Sequence, residues 1–182
     1  MDSPEVPQAK QAGRFVLPRW AAFIAGFVLW TVLLPLVHGV LPWALSMLGQ
    51  RHGWKDGRPG AWNWFGLILI AAAAILFIWT SVLHYLRVPE RMELEVTLPW
   101  KMTPPYLLTH GPYGFTRHPM YVGVLALWLG WTFLYGSVAV LVGCLVLCTA
   151  VNVFARWEER ALEGRFGDVY LQYKRNVPRW IG

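Results

Sequence analysis

Charge is scarce in this chain: Asp, Glu, Lys and Arg make up 14% of 182 residues, while 56% are hydrophobic. Soluble domains carry about a quarter of their residues as charges, so this balance excludes an ordinary globular protein and points to a membrane one. Cysteine is scarcer still. Cys144 and Cys148, the two present, lie one helical turn apart in an apolar run, which excludes a disulfide framework and leaves too few ligands for a metal. They read as small packing residues. No pair of histidines has zinc-site spacing and no acidic cluster offers oxygen ligands, so no metal is expected. No strand pattern precedes Gly111 and Gly114, which excludes a dinucleotide-binding loop and a soluble Rossmann-type enzyme. The net charge of +6 would suit nucleic acid, but the basic residues form no aromatic-interleaved patch, and nucleic acid is not expected as a partner.

Long apolar runs are what the chain has instead. Four candidate spans run from about Trp20 to Val40, Trp62 to Leu86, Met120 to Tyr135 and Ser137 to Phe154. A helix crosses a ~30 Å hydrocarbon core in ~20 residues, so the first two are comfortable and the last two short. Their junction, "LYGSV", is too brief to leave the membrane surface and predicts a tight helical hairpin. The polar stretch Met1 to Gly13 has no small-residue cleavage site after a short apolar core, so the first span reads as an anchor. The segment "LPWALSMLGQRHGWKDGRPGAWNW" predicts a short interfacial helix before a Gly/Pro-rich turn. Trp20, Trp43, Trp62 and Trp157 fall near span ends, as an aromatic belt requires.

Lys and Arg set the expected orientation. Lys10, Arg14 and Arg19 precede the first span; Arg87, Arg91, Lys101 and Arg117 lie between the second and third; Arg156, Arg160, Arg165, Lys174, Arg175 and Arg179 follow the fourth. Those would share one side, leaving Arg51, Lys55 and Arg58 on the other. The split predicts both termini in the cytoplasm, and the absence of sorting signals favours a bacterial inner membrane. The expected fold is an all-α integral membrane protein of about four transmembrane helices, with spans three and four as a hairpin and a cytoplasmic amphipathic helix at the C-terminus.

That hairpin brings two polar segments to one face. The first is "HGPYGFTRHPMY", His110 to Tyr121, which buries little apolar surface and is broken by proline. The second is "RWEERALEGRFGDVYLQYKRNVPRW", in which Leu162, Phe166, Val169 and Tyr173 recur at helical spacing with charges opposite. Gly167 and Asp168 look like a helix break and a new N-cap. A carboxylate at Glu158 or Glu159, where the fourth span ends, needs solvent or a partner. It either pairs with Arg117 or Arg160 and ends a helix, or receives the cation of a ligand. Arg117 also serves as a positive-inside anchor, and Gly111, Pro112 and Gly114 turn the chain. His38 and His84, near span ends, read as structural hydrogen-bonding residues, and His52 belongs to the opposite face.

Taken together, "THGPYGFTRHPMYVG", the apolar hairpin and "EERALEGRFGDVYLQYKRNVPRW" resemble the isoprenylcysteine carboxyl methyltransferase family and its relatives among the phospholipid methyltransferases. The two motifs stand at the matching separation, and the resemblance runs from about Tyr106 to Trp180. It implies S-adenosylmethionine as methyl donor, leaving as S-adenosylhomocysteine, and one methyltransferase domain over 1–182, with N-terminal spans in 1–105 and a cofactor-binding core in 106–182. It implies backbone contacts to the cofactor from Tyr106, Leu107 and Leu108, and a site lined by Gly111, Tyr113, His118, Pro119, Met120 and Tyr121. Glu158 takes the cofactor's amino end, with Glu159 able to exchange roles. Where the family carries a substrate-facing arginine one turn before that glutamate, this chain has Phe154, and Arg156 lies on another face; these two are the candidate substrate contacts.

Methyl transfer from a sulfonium is an in-line displacement, catalysed mostly by placing the acceptor against the methyl group in a dry pocket. A carboxylate acceptor needs no base; for an amine or thiol, His118 or Tyr121 takes the proton. Arg117 and Arg156 favour an anionic acceptor or a phosphate head group. The expected acceptor is lipophilic, an isoprenylcysteine-like carboxylate or another small lipid acid or thiol. The alternatives are N-methylation of a phospholipid ethanolamine head group, and a non-catalytic membrane protein that kept the fold. Small residues in "GVLALWLGW" and "GSVAVLVG" favour close helix approach, within one chain or between chains.

Overall fold

The computed structural model describes residues 14–18, 20, 21, 24, 28, 36–87, 91–95 and 106–181, with the side chains of 14–18 and 91–95 excepted. Most of the expected first span, with Met1 to Gly13, Arg19 and Lys101, lies outside the described residues.

In chain order the elements are strand β1 (Arg14–Pro18), helix α1 (Leu36–Leu45), strands β2 (Trp54–Lys55) and β3 (Arg58–Pro59), a 3₁₀ turn (Ala61–Trp64) leading into α2 (Phe65–Arg87), strand β4 (Arg91–Glu95), a 3₁₀ turn (Gly111–Gly114), α3 (Pro119–Tyr135), α4 (Val138–Phe166) and α5 (Asp168–Asn176). Helix dominates, as expected, but the fold is not purely α. β1 pairs antiparallel with β4, Arg14 opposite Glu95 and Pro18 opposite Arg91, and β2 pairs with β3 through a tight turn. That turn places Asp56 and Gly57 at φ 49° and 74°, the left-handed pair that a two-residue hairpin requires.

The second and third expected spans are α2 and α3 almost residue for residue. They run antiparallel and touch through glycine. A Cβ on Gly66 would lie 2.3 Å from the Gly130 carbonyl oxygen, and one on Gly130 would lie 2.7 Å from Ile70 Cγ1; only backbone without side chains approaches this closely. Further along the same pair, Gly123 faces the Phe77 ring. The predicted hairpin follows α3. Gly136 turns it at φ +58°, and Ser137 caps α4 by accepting from Val140 N, a left-handed stop and a polar start. Val124, Trp128, Val140 and Cys144 form the core behind it, joined by Leu45 and Phe77. Cys144 thus has the packing role expected, whereas Cys148 is exposed.

The last carbonyls of α3 have no partners within their helix, and the chain from Arg51 to Asn63 supplies them. Asn63 Nδ2 donates to the Phe133 oxygen (2.8 Å), Trp54 Nε1 to that of Leu134 (3.0 Å) and His52 N to that of Gly136 (2.8 Å). Arg51 lies over the Trp54 and Tyr135 rings. His38 accepts from Trp128 Nε1 at 2.8 Å, the structural role expected of it.

The fourth span departs from expectation. It continues unbroken to Phe166, a helix of 29 residues, because Arg156 to Leu162 are strong helix formers with no proline or glycine among them. At ~1.5 Å per residue that is ~43 Å, longer than a ~30 Å hydrocarbon core requires. Gly167, at φ +53°, then breaks the helix and α5 begins. Asp168 is the first residue of α5, not its cap, and makes no capping bond. The break also re-phases the apolar stripe: Leu162, Tyr170, Tyr173 and Val177 cluster with Phe166, while Val169 is exposed.

Two described helices, Ala61–Arg87 and Val138–Phe166, are long and apolar enough to cross a membrane; α1 and α3 are apolar but shorter. Ile68, Ile75, Ile78, Val142, Leu145 and Val146 all face outward, an apolar surface larger than water tolerates on a monomer. Trp20, Trp43, Trp62 and Trp157 are exposed as well.

Candidate functional site

The motif loop is seated on the far end of α2. Gly111 makes this possible: at φ +64° it takes a backbone conformation that side chains disfavour, and a Cβ there would lie 2.9 Å from Leu83 Cδ1. Pro112 is buried and its carbonyl receives the amides of Phe115 and Thr116. Pro119, at the first turn of α3 where its missing N–H costs nothing, is fully buried.

The C-terminal segment closes over this loop, as the sequence predicts. Thr116 Oγ1 donates to the Arg179 carbonyl (2.8 Å), Arg117 N to that of Pro178 (3.0 Å), and the Tyr173 hydroxyl to that of Tyr113 (2.7 Å). Leu107 packs against the Tyr170–Tyr173–Val177 cluster, and Leu108 is buried.

At the centre lies Glu159, 2% exposed. Arg179 grips it with two hydrogen bonds, Nε to Oε1 at 2.7 Å and Nη2 to Oε2 at 2.8 Å. Arg117 Nη1 and His118 Nε2 each stand 3.2 Å from Oε1. Burial alone would raise this carboxyl's pKa; the hydrogen bonds from Arg179 and His118 and the charge of Arg117 instead hold it at about 2. Two guanidiniums are thereby committed to one carboxylate. The Tyr170 hydroxyl beside them is pushed up to about 12 by burial and the charge of Glu159.

Glu158, one residue earlier, points to a different environment. Its side chain is 44% exposed, and its Oε2 lies 3.5 Å from His118 Nδ1. The Tyr121 hydroxyl is within hydrogen-bonding reach. Among the described residues, no guanidinium or ammonium pairs with it. His118 is buried between the two carboxylates, stacked on Tyr121 at 5.3 Å and tilted against Trp180 at 5.8 Å. Burial and then the charge of Glu158 raise the Tyr113 phenol above its ordinary range, and burial does the same for Tyr173 and Tyr106.

The structure thus brings together Tyr106, Tyr113, Arg117, His118, Tyr121, Glu158 and Glu159, with Gly111 and Pro119 shaping the turn and Met120 half-buried beside them. It separates the acidic pair that the sequence left interchangeable: Glu159 pairs with Arg117, and Glu158 does not. Phe154 and Arg156 are exposed; Phe154 meets Trp157 edge to face at 5.7 Å, one turn from Glu158 on the same face.

Sequence reasoning missed the roles of Arg179 and Tyr173, and gave His84 its structural hydrogen-bonding role without its partners. Arg179 counted only towards orientation, and nothing local marks it as the partner of Glu159. Tyr173 was assigned to an apolar stripe, although its hydroxyl secures the motif loop. His84 holds two tyrosines of the motif segment, through Nδ1 to Tyr106 (3.0 Å) and Nε2 to Tyr113 (2.7 Å). Among the described residues, no three His, Cys, Asp or Glu side chains gather as metal ligands.

In chemical terms the site offers a carboxylate with no cation beside it among the described residues, next to stacked aromatic rings and a neutralised acidic core. Such a set suits a ligand with an ammonium group and a flat or sulfonium-bearing portion.

The sequence pattern of the phospholipid methyltransferase family matches residues 61–169, from the 3₁₀ turn before α2 into α5. The chain is 39% identical over 64 residues to an uncharacterized protein of Haemophilus influenzae, covering 34% of this chain and 100% of that one. It is 41% identical over 76 residues to a protein-S-isoprenylcysteine O-methyltransferase of Schizosaccharomyces pombe, covering 41% of this chain and 32% of that enzyme. With the Xenopus laevis enzyme of the same name it shares 37% over 81 residues, 40% of this chain and 25% of that one. The chain therefore matches only about a third or less of either named enzyme. No solved structure matches it significantly. The family match covers more than half of the chain and includes the loop, the hairpin and the acidic pair: the chain belongs to the phospholipid methyltransferase family.

Proposed function

We propose that this protein is an S-adenosylmethionine-dependent methyltransferase acting on a lipophilic acceptor at a membrane, with residues 1–182 as a single membrane-embedded domain. The observation that carries this reading is Glu158, a half-exposed carboxylate without a cationic partner among the described residues, beside the His118–Tyr121 stack in a family of methyltransferases. Glu158 receives the donor's ammonium group, and the rings of Tyr113, His118 and Tyr121 with the backbone of Tyr106 to Leu108 hold the rest. The bound donor supplies an electrophilic methyl group; the protein orients it and keeps water out. Arg117 and Glu159 support the site from behind, and His118, set between the two carboxylates, forms a wall of the site and takes the proton of an amine or thiol acceptor, directly or through water.

The acceptor reaches the site from the bilayer past the Phe154 face. The resemblance favours an isoprenylcysteine-like carboxylate or another small lipid acid or thiol. The commitment of Arg117 and Arg179 to Glu159, with Arg156 exposed, favours the thiol, or the ethanolamine amine of a phospholipid, over a free carboxylate.

Four spans with both termini in the cytoplasm, in a bacterial inner membrane, accord with the Lys and Arg distribution. The β1–β4 pairing supports it, since the strand before the first expected span lies beside the strand after α2. A charged pair at Glu158 and Glu159 is also tolerable only where α4 has left the hydrocarbon.

The test is calorimetric titration of S-adenosylhomocysteine into the detergent-purified protein, then transfer of a radiolabelled methyl group into lipid extracts. Saturable binding and a labelled lipid are expected. Methanol released from that lipid by mild base identifies an ester, and a base-stable label an N- or S-methyl product. Folded protein that binds no S-adenosylhomocysteine at near-millimolar concentration overturns the reading in favour of a non-catalytic family member.

A further inference from the structure

We propose that His84 is a positioning residue of the donor site, so that α2, an anchor by composition, builds one wall of it. The inference rests on the reading of that site as one for S-adenosylmethionine.

An ionisable side chain in an apolar helix is costly and calls for a partner. His84 lies three residues before the end of α2 and has two partners, both from the motif segment: Tyr106 at Nδ1 (3.0 Å) and Tyr113 at Nε2 (2.7 Å). The rings meet as well, His84 to Tyr106 at 5.8 Å and His84 to Tyr113 at 5.7 Å. Among the described residues, no other hydrogen bond reaches either hydroxyl. A neutral imidazole donates from one nitrogen and accepts at the other, so one tyrosine must accept and its companion donate. Both hydroxyls are thereby oriented by one side chain.

Tyr113 is consequently held at two points. Its carbonyl accepts from Tyr173 of α5, and its hydroxyl meets His84 of α2. Gly111 brings the loop close enough, packed against Leu83 and Trp79 of the same helix. Glu158 lies near enough for its charge to act on Tyr113. The loop that meets the donor is thus clamped between α2 and α5, and the histidine is the polar element of the α2 side.

A histidine that only satisfied two buried phenols would affect folding; one that positions a binding wall affects affinity. The test uses the full chain in detergent and S-adenosylhomocysteine as ligand. Titrations are made with wild type, His84→Phe, Tyr113→Phe, the double variant and His84→Gln, with melting followed on the same samples. Each of the first two substitutions should weaken binding about tenfold, the scale of one or two lost neutral hydrogen bonds. The double variant should lose no more than the worse single one, because both act through one contact. His84→Gln, which retains a donor and an acceptor, should recover part of the loss, and melting should change little.

Wild-type affinity in His84→Phe overturns the proposal, as do losses that multiply in the double variant, or a loss of affinity that only follows a loss of folding. If His84→Phe does not fold, Tyr106→Phe and Tyr113→Phe remove the same bonds from the loop side. Normal binding by both then overturns the proposal. Failure of the wild type itself to bind S-adenosylhomocysteine is a separate result and overturns the donor reading on which this one stands.

Discussion

Replacing Glu159 with alanine should damage folding more than any other change at the acidic pair. The substitution removes the shared partner of Arg179 and Arg117 and leaves the Arg117 side chain, 8% exposed, without its carboxylate. Its size follows from the site's own electrostatics. The Glu159 carboxyl is held at about 2 against an ordinary 4.5, and at ~1.36 kcal/mol per pKa unit that difference amounts to roughly 3 kcal/mol. Removing one member of a buried ion pair costs ~3–5 kcal/mol in other proteins, the same order. The pH dependence has a definite sign. A carboxyl whose pKa is lowered by folding contributes its stability fully above its unfolded value, near 4.5, and loses it as pH falls towards about 2. The assay is unfolding of detergent-solubilised protein, followed by tryptophan fluorescence, in wild type, Glu159→Ala and Glu158→Ala between pH 7 and pH 3. Wild type should weaken towards the acid end, Glu159→Ala should begin weak and change less, and Glu158→Ala should resemble wild type. Equal stability of wild type and Glu159→Ala at pH 7, or greater damage from Glu158→Ala, would refute the assignment of Glu159 as the structural carboxylate.

Binding should sort the pair the other way: Glu158→Ala should weaken S-adenosylhomocysteine by ~2 kcal/mol, about thirtyfold, if it meets an ammonium group in a dry site, and calorimetry on folded protein checks it. His118→Ala should lose both binding and stability, since the ring touches both carboxylates and Tyr121; an unchanged titration contradicts the site as drawn. Gly66→Leu should separate α2 from α3, because the Gly130 carbonyl already occupies the space of a Cβ, at a cost of ~1–3 kcal/mol for overpacking; a melting curve like that of wild type would show the contact to be slack. In a cysteine-free background, Lys55→Cys should react with an impermeant maleimide from the side opposite to Arg175→Cys, and labelling of both from one side rules out the four-span topology.

Much of the architecture was legible because bilayer solvation and helical periodicity are local rules. The apolar runs at Trp62 to Leu86 and Met120 to Tyr135 became α2 and α3, and "LYGSV" became the hairpin, since glycine can turn left-handed and serine can cap. The same rules marked where the fourth apolar run ends but not where its helix ends. Composition changes at Phe154, but helix propensity does not, so α4 runs on to Gly167 and the stripe is re-phased. The short strand pairs were invisible because pairing joins residues far apart in sequence: Arg14–Pro18 has a partner only when Arg91–Glu95 is brought beside it.

The sequence by itself determined the class of the protein, the identity of the motif loop and its meeting with the C-terminal segment, because residue types and a short hairpin suffice for these. Only the tertiary structure decided which glutamate is neutralised. Glu158 and Glu159 are chemically identical neighbours, about 100° apart around α4, and their roles depend on where Arg179 returns after the Gly167 break. It likewise decided which partners His84 has, because its hydrogen bonds to Tyr106 and Tyr113 exist only once α2 and the loop are packed together.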